Sequence, residues 1–416
     1  MKQEPTSLEY KKLKFTNYQI FVIIILALLQ FTVVIDFSVI SPLGDMLMKQ
    51  LMINTEQLGL LVSCYAFGAG ASGIMVATFA DKFDRKKFLL FFYIGFLIAT
   101  YLCGMFHDYT LLLIARSFAG IFGGVISAIS FAIVSDLFEF NQRGRVTSYI
   151  QMSFSASQIL GIPVGIFLAN KWGWNSTFIM IGILSTVIWF MILFKLKPIN
   201  SHLKLQTKEK ILSHFWRVLS NKNYKIGFIL ISITAMGAAM LMPFSSAFLI
   251  NNIGITQEQL PFIFMFTGLA TVGVMPLVGR LSDKIDKFKI FLAGSLITIT
   301  TTLIYTNLVP VPLWTVVAIN IVMFTGISSR MIPAMALNTA IPAAKDRGSY
   351  MSLCSSLQQM ANGVASLVAG FIIFQATKTS PLENYNILGF IVVSTSIICI
   401  FLIHKINREL RISVVS

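Results

Sequence analysis

Charged residues are scarce in this chain, and their scarcity excludes whole classes of protein. Only 12% of the 416 residues are Asp, Glu, Lys or Arg, while 56% are hydrophobic and the mean hydropathy is +0.79. A soluble domain carries about a quarter charged residues, because polar surface must cover its apolar core. The composition therefore excludes an ordinary soluble enzyme, a disordered chain and a disulfide scaffold.

Groups that carry catalytic or metal chemistry are also few. The chain has four histidines and four cysteines, and neither set has the spacing of a metal site or a disulfide framework. No histidine lies beside a plausible nucleophile, and the sequence has no glycine-rich phosphate loop. We therefore expect no enzyme activity, no cofactor, no metal and no ATP-driven transport.

Long apolar runs are what the chain has instead. Twelve runs reach the ~20 residues that a helix needs to cross a bilayer. In lipid a single chain must satisfy its own backbone hydrogen bonds, which helices do. The runs cover approximately residues 18–43, 57–79, 88–106, 109–136, 147–169, 175–195, 226–250, 260–279, 289–308, 313–336, 350–374 and 387–404. The sequence predicts an all-α membrane protein with twelve transmembrane helices.

The positive charges lie almost entirely on one side of these predicted helices. With the N-terminus inside, the inner segments hold 27 of the 32 Lys and Arg residues, and the outer loops hold Lys49, Lys171 and Lys378. Cytoplasmic segments of membrane proteins show this excess, so we expect both termini to be cytoplasmic. The net charge of +15 then reflects topology and contact with anionic lipids rather than nucleic-acid binding.

A polar stretch divides the chain into two halves of six predicted helices each. We predict an N-terminal six-helix bundle over 1–196, a cytoplasmic linker with an amphipathic helix over 197–225, and a C-terminal six-helix bundle over 226–416. The halves repeat at an offset of 202, since ATFADKFDRKK (77–87) aligns with GRLSDKIDKFK (279–289). Parallel repeats of this kind are typical of transporters that rock about a central site.

The repeated loop also carries a family resemblance. Its second copy, which begins at Gly279, resembles the G-x-L-[AS]-D-[RK]-x-G-[RK] signature of the major facilitator superfamily, with Asp286 where glycine is usual. The first copy departs from the signature at Ala77 and Asp84. The resemblance covers essentially the whole chain and implies the twelve-helix fold of that superfamily, built from two six-helix repeats.

Two further motifs resemble those of exporters. Arg116-Ser-Phe-Ala-Gly120 in span 4 resembles the arginine motif of drug/proton antiporters, and Gly161-Ile-Pro163-Val-Gly165 in span 5 is similar to a motif that marks exporters. Overall the chain resembles bacterial twelve-helix drug/proton antiporters and arabinose-efflux-like (sugar efflux) permeases. This resemblance implies secondary active export across a bacterial inner membrane.

Glycines at four-residue spacing predict close helix packing in the same two spans. Gly120 and Gly124 form one such pair, and Gly161 and Gly165 form the other. Small residues at this spacing let two helices approach each other. Pro163 bends span 5 or frees a backbone carbonyl. We expect a tight, bent interface that limits leak between the halves.

In that superfamily the loop motif locks the inner gate, which implies a gating role for the matching charges of this chain. An acid after span 2 and a base on the next helix can form a charge-assisted contact, and an acid also lies at the inner end of span 4. The residues assigned to gating are Asp81, Arg85, Lys86, Asp136, Asp283 and Lys287. The alternative is that they are only topology charges and turn residues.

Two charges lie within predicted spans of the first half, where an ionisable side chain is costly and usually functional. Asp36 lies in span 1 and Arg116 in span 4, while their counterparts at the repeat offset are Ala238 and Ala318. A carboxyl balanced between burial and a fixed cation can bind and release protons as water access alternates. We predict that this pair couples transport to protons. The alternatives are an ion pair that fixes helix register, or an Asp36 already hydrated near the outer surface.

Substrate contacts are predicted where polar, aromatic or methionine side chains interrupt the spans. Amides can orient a ligand, while Phe and Met suit an adaptable apolar pocket. Arg330, deep in span 10, either faces a cavity or extends to the inner surface and anchors its helix. The predicted substrate-binding residues are Gln30, Phe31, Gln158, Met240, Phe244, Arg330 and Gln359. Core packing or lipid contact is the alternative for each of them.

These features together predict a monomeric, proton-coupled secondary exporter of small molecules that works by alternating access. Its partners would be a small-molecule substrate, protons and membrane lipids, and both multidrug and metabolite efflux fit. The alternatives are a narrow-specificity sugar, siderophore or metabolite efflux permease, and a non-transporting membrane receptor of the same fold. Apolar pocket candidates favour lipophilic substrates, whereas Arg330 and the glutamines favour polar ones.

Overall fold

The computed structural model of the protein describes residues 15–79, 82–200, 211–343 and 346–415. Within them the chain forms α-helices joined by short loops. The α-helices are α1 (Asn17–Ser38), α2 (Ile40–Gln50), α3 (Thr55–Phe79), α4 (Arg85–Met105), α5 (Tyr109–Leu137), α6 (Phe140–Ala156), α7 (Ile162–Trp172), α8 (Asn175–Lys195), α9 (Ile211–Ser220), α10 (Lys222–Leu241), α11 (Ser245–Asn251), α12 (Leu260–Lys284), α13 (Lys287–Thr306), α14 (Leu313–Ala340), α15 (Arg347–Ile372) and α16 (Tyr385–Val415). A π-helical turn (Ser157–Gly161) joins α6 to α7, and a 3-10 turn (Met242–Phe244) joins α10 to α11.

Helix α15 decides whether the chain has eleven or twelve membrane spans. Among the described residues, eleven segments are long and apolar enough to cross a membrane. α15 is long enough, at 26 residues, but it contains many Ser, Gly and Gln residues. These polar positions are compatible with a span because α15 packs along α3 and α10, so that much of its surface meets protein instead of lipid. The predicted all-α fold with twelve transmembrane helices is confirmed.

Three of the spans are broken into two helices, and a proline follows each break. Pro42 lies in the first turn of α2, Pro163 in the first turn of α7, and Pro243 in the 3-10 turn that precedes α11. Proline lacks a backbone N–H and clashes with the preceding turn, so it is tolerated best where a helix begins. Each of these spans therefore finishes in a separate short helix.

The two halves, α1–α8 and α10–α16, meet along two seams. One end of the bundle carries the loops 51–54, 106–108 and 252–259; we name it the outer end, following the charge distribution, and we name the opposite end the inner end. α3 packs against α15 along the first seam. The π-helical turn and α7 pack against α12 along the second, and α2 packs against α11 at the outer end.

Side chains from both halves close the outer end. The largest cluster of buried apolar residues includes Ile40 and Leu43 from the first half and Phe248 from the second, each exposed by 2% or less. Toward the inner end α12 is less closely packed, because a Cβ atom placed at Gly273 or Gly279 would meet no heavy atom of the described residues within 4 Å. The halves are thus joined at the outer end, while these two positions of α12 border open space nearer the inner end.

The linker helix α9 is attached to the second half. Val218 is 1% exposed and packs in one cluster with Tyr224, while Nη2 of Arg217 lies 3.6 Å from Oδ1 of Asp346. Trp216 on the same helix is 58% exposed. α9 therefore has one buried and one exposed side, and it holds the chain between the two halves against the C-terminal one.

Candidate functional site

The structure brings Asp36 and Arg116 together inside the first half. Nη1 of Arg116 donates to Oδ2 of Asp36 at 3.0 Å and to the backbone carbonyl of Asp36 at 3.0 Å. The hydroxyl of Thr100, on α4, donates to Oδ1 of Asp36 at 3.5 Å. Both charged side chains are 0% exposed, so the interpretation of Asp36 as a hydrated surface acid does not hold. The pair links α1 to α5 at full burial.

Aromatic rings hold the guanidinium of Arg116 in place. Its central carbon lies 4.4 Å from the centroid of the Tyr65 ring and 5.9 Å from that of Phe178. A cation over the face of a ring is attracted by the quadrupole of that ring, most strongly where water is excluded. Nε and Nη2 of Arg116 have no hydrogen-bond acceptor within the described part of the chain. The site therefore combines a paired cation with two buried donors that no described residue accepts.

A glycine stripe on α5 sets the distance between α5 and α3 beside this pair. A Cβ atom at Gly120 would overlap the backbone of Tyr65, and one at Gly124 would lie 2.5 Å from the carbonyl oxygen of Ala69. At Gly123 an added Cβ would lie 2.6 Å from the hydroxyl oxygen of Tyr65. Because only glycine permits this approach, the stripe fixes where the Tyr65 ring meets Arg116.

Replacing Gly120 with alanine is therefore expected to destabilise the protein. The new Cβ would meet the Tyr65 backbone, which moves only if α3 shifts as a whole, and overpacking of this kind typically costs about 1–3 kcal/mol. Thermal unfolding of the purified protein measures the effect. Gly273→Ala is the matched control, since its Cβ meets no heavy atom within 4 Å and alanine favours a helix. Equal unfolding midpoints for the two variants would contradict the close approach.

The second glycine pair surrounds the break in span 5. A Cβ at Gly161 would lie 2.5 Å from Cδ1 of Ile35 on α1, and a Cβ at Gly165 would lie 2.8 Å from Cγ2 of Thr177 on α8. Pro163 follows a π-helical turn, an arrangement that accommodates a proline within an otherwise helical span. Both glycines thus allow packing inside the first half.

The predicted gating charges form contacts within the first half. Nε of Arg85 donates to Oδ2 of Asp136 at 3.0 Å, and Nζ of Lys86 donates to the carbonyl oxygen of Leu193 at the end of α8, at 2.9 Å. These contacts join the inner ends of α4, α5 and α8. Asp81 and the side chain of Asp283 lie outside the described residues. Lys287 is the first residue of α13.

The two acids that replace glycine in the loop motifs are helix caps. The carboxylate of Asp84 accepts from the backbone N–H of Lys87 at 3.0 Å, and that of Asp286 accepts from those of Phe288 at 3.0 Å and Lys289 at 3.3 Å. Asp at this position satisfies N–H groups that have no partner within the helix. The sequence signal for this role is an Asp directly before the start of a helix.

The predicted substrate residues are placed in four different environments. Phe31 lies beside the π-helical turn that contains Gln158, since the hydroxyl of Ser157 donates to the carbonyl oxygen of Phe31. Gln158 also borders the second half, because a Cβ at Gly268 of α12 would lie 3.2 Å from its carbonyl carbon. Gln30 is one residue away from Phe31 on α1. Gln359 lies on α15 next to the seam with α3 and accepts from its neighbour Asn362 at 3.1 Å.

Three predicted substrate residues lie away from the open part of the seam. Met240 and Phe244 are 2% and 0% exposed within the apolar cluster that closes the outer end. Arg330 neither faces the seam nor reaches the inner surface: its Nη1 donates to Ser396 at 2.9 Å and its guanidinium lies 5.6 Å from the Phe291 ring, inside the second half. Both expectations for Arg330 are corrected, because its helix turns it toward α13 and α16.

A polar cluster at the outer end consists of residues that the sequence alone did not single out. The carboxylate of Asp45 accepts from Nδ2 of Asn251 at 2.6 Å, from Nζ of Lys49 at 2.8 Å and from Nε2 of Gln257 at 3.3 Å. Its side chain is 2% exposed. We call Asp45, Lys49, Asn251 and Gln257 the outer cluster. The available signal was an acid directly after the apolar run that contains Asp36, four residues before Lys49.

Comparison with known proteins relates this architecture to a family of transporters. The sequence model of the Major Facilitator Superfamily matches residues 26–366 and 227–412. The uncharacterized transporter YceJ of Bacillus subtilis (strain 168) is 22% identical over 348 residues, which are 84% of this chain and 88% of YceJ. A probable sugar efflux transporter of Helicobacter pylori (strain P12) is 24% identical over 250 residues, 60% of this chain and 62% of that protein.

The fold also has a solved counterpart. The crystal structure of a bacterial homolog of the human lysosomal transporter Spinster, in an inward-facing and unoccupied conformation, matches with a TM-score of 0.76 at 16% identity. The match covers 95% of this chain and 98% of that one, and at this identity it establishes the fold alone. With twelve spans in two repeated halves and a family match over most of its length, the chain is an integral membrane protein that belongs to the Major Facilitator Superfamily of transporters.

Proposed function

We propose that this protein is a proton-coupled secondary exporter of small molecules that works by alternating access. The observation that carries the proposal is the fully buried ion pair of Asp36 and Arg116. Such a pair contributes little to the stability of the fold, since apolar residues of similar volume often replace a buried ion pair without a loss of stability. The second half has Ala238 and Ala318 at the repeat positions, so the scaffold does not require the pair. An intramembrane charge of this kind supports an ion or substrate pathway.

The geometry supports exchange of a proton for a substrate at this pair. A guanidinium does not deprotonate in proteins, so Asp36 is the partner that can change its charge. When Asp36 binds a proton, its attraction to Arg116 weakens, and the buried donors of Arg116 need new acceptors. A substrate that binds while Asp36 is ionised and paired with Arg116, and is released when Asp36 takes up a proton, must oppose proton binding at Asp36 by the same free energy. This reciprocity is the physical basis of antiport in the proposal.

The closed outer end supports assignment of this conformation to the inward-facing state. The two halves pack together at that end, while α12 borders open space toward the inner end. A substrate would enter from the cytoplasm toward Gln30, Phe31 and Gln158. Rocking of one half against the other would then close the inner end and open the outer one.

The substrate class stays open between lipophilic drugs and polar metabolites. Similarity to the probable sugar efflux transporter of Helicobacter pylori supports efflux as the direction of transport. A narrow-specificity permease for a sugar or a similar hydroxylated compound is the second candidate. It is favoured by Gln30, whose Oε1 is buried and has no hydrogen-bond partner among the described residues, because a substrate hydroxyl could donate to it.

We further propose that one chain suffices for this function, in a bacterial inner membrane with both termini cytoplasmic. Both seams that flank the pathway are formed between the two halves of the same chain. The placement of Lys and Arg residues supports the orientation.

Uptake into everted membrane vesicles tests the proposed function. Vesicles from cells that express the protein are energised to make their interior acidic, and a panel of lipophilic cations, phenicols and sugars is added. We expect at least one compound to accumulate above the level in vesicles without the protein, and a protonophore to abolish that accumulation. Equal accumulation with and without the proton gradient would identify a facilitator instead, and no transport of any compound would favour the receptor alternative.

A further inference from the structure

At the outer end, α2 joins the two halves across the pseudo-symmetry axis of the repeat. Ser41 donates to the carbonyl oxygen of Met242, and the backbone N–H of Asp45 donates to the hydroxyl of Ser246 at 3.4 Å. The partners in both bonds are 201 residues apart, close to the repeat offset of 202. α2 therefore packs against its own repeat counterpart, which is the arrangement expected where a two-fold pseudo-axis passes through an interface.

Asp45 carries the negative charge of the outer cluster, whose other members are a lysine and two amides. Lys49 lies on the same helix as Asp45 and donates both to it and to Oδ1 of Asn251 at 3.2 Å. The two amide donors, Asn251 and Gln257, come from the second half. Asn170 of α7 donates to the carbonyl oxygen of Gln257 at 2.9 Å and so attaches that loop to the first half again. The carboxylate is thus bound by both halves at once.

We propose that Asp45 is the gating residue of the outer end, and that its bonds to Asn251 and Gln257 hold that end closed. A carboxylate with 2% of its side chain exposed needs partners, because a buried charge without them is very costly. In the closed state the second half supplies two of those partners. Hydrogen bonds to an ionised group are also stronger than those between neutral groups.

The chemistry of the cluster suits a contact that must break in every cycle. When the halves separate at the outer end, water replaces Asn251 and Gln257 around the carboxylate, so each charged hydrogen bond favours the closed state by only part of its full strength, a factor of about ten in population. An apolar contact of the same size would instead expose its surface to water. The close packing of Gly44 beside it, where a Cβ would lie 2.7 Å from the carbonyl oxygen of Pro243, adds shape complementarity to the closed state.

Distances between spin labels at the outer end test this proposal without a substrate and without proton coupling, so it stands or falls independently of the proposed function. Cysteines replace Trp172 and Val309, which are 69% and 67% exposed at the outer ends of the first and second halves. The four native cysteines are replaced by alanine. Double electron–electron resonance on the purified protein in lipid nanodiscs then reports the populations with the outer end closed and open.

We expect Asp45→Asn to lower the ratio of closed to open populations by about tenfold, the factor that loss of a charged hydrogen bond implies. Asn251→Asp should lower it further, because it places a second carboxylate beside Asp45. The double variant D45N/N251D should restore the closed population, because the carboxylate then lies at position 251 and the amide donor at position 45. Lys49 donates to both positions and can therefore pair with the carboxylate in either arrangement. Restoration by the exchange is a result that mere damage to the fold would not produce.

Glu258→Gln is the matched control, because it removes an exposed acid from the same outer surface. It should leave the distance distribution unchanged. The proposal is overturned if both single variants keep the wild-type distribution, if the double variant opens as far as Asn251→Asp alone, or if the control opens the outer end as much as Asp45→Asn.

Discussion

Asp36→Asn should leave substrate exchange intact and abolish proton-driven accumulation. An asparagine has nearly the shape of the aspartate and can still accept from Arg116, but it binds no proton in the physiological range. Coupling between two sites typically amounts to about 1–3 kcal/mol, a factor of about 5–150 in affinity. Without that coupling, the substrate should only reach equal concentrations on the two sides of the membrane. Purified protein in liposomes, with exchange and gradient-driven uptake of one substrate measured side by side, provides the test.

The control for this experiment is Glu56→Gln, which removes an exposed acid from the start of α3. It should retain both activities. The account of Asp36 fails if Asp36→Asn still concentrates the substrate against its gradient. Loss of exchange together with accumulation would also contradict it, provided that the variant remains folded, because a role in coupling alone does not predict that result.

Arg116→Ala should strongly destabilise the first half. It leaves the carboxylate of Asp36 buried, with only the Thr100 hydroxyl as a side-chain partner among the described residues, at 3.5 Å. Removal of one member of a buried ion pair costs about 3–5 kcal/mol, far more than the pair itself contributes. It also removes the cation from the face of the Tyr65 ring, 4.4 Å away. The unfolding temperature of the purified protein in detergent should fall accordingly.

A double variant separates the cost of the unpaired charge from the loss of packing. D36N/R116M removes both charges and keeps much of the volume, so most of the lost stability should return while proton coupling stays absent. If the double variant is as unstable as Arg116→Ala, then burial of an unpaired carboxylate is not the cause. Equal stability of Arg116→Ala and the wild type would show that the pair is open to water.

The fold could be predicted almost completely because hydrophobic length is a property of each segment alone. α15 shows where that criterion becomes weak, since its Ser, Gly and Gln residues are tolerated only through contact with α3 and α10. Local sequence does not contain that information. The breaks in spans 1, 5 and 7 lie beside Pro42, Pro163 and Pro243, so they could be predicted, although the π-helical form of the break before Pro163 could not.

The candidate site could be predicted only where the sequence carried an isolated charge. Asp36 and Arg116 were identified because each interrupts an apolar run, and the structure joins them at 3.0 Å. Arg330 interrupts a run in the same way, yet its helix directs it into the second half. A helix that is apolar on every side has no periodic signal to show which face meets which neighbour.

The outer cluster could not be predicted from the sequence, although its charged residues are easy to see there. Asp45 lies four residues before Lys49, a spacing that looks like an ordinary surface pair near the end of a span. Its burial depends on Asn251 and Gln257, more than 200 residues away in the other half. Only the contact between the repeats turns this local pair into a bond between the halves.

Proton release on substrate binding tests the central claim most directly. The purified protein is placed in weakly buffered detergent solution with a pH indicator, and a transported compound is added at saturation. If substrate and proton compete through Asp36 and Arg116, the wild type should release up to about one proton per bound substrate as linkage requires, and Asp36→Asn should bind the compound without release. Equal release from both proteins, or binding to the wild type with no release at any pH, would contradict the account.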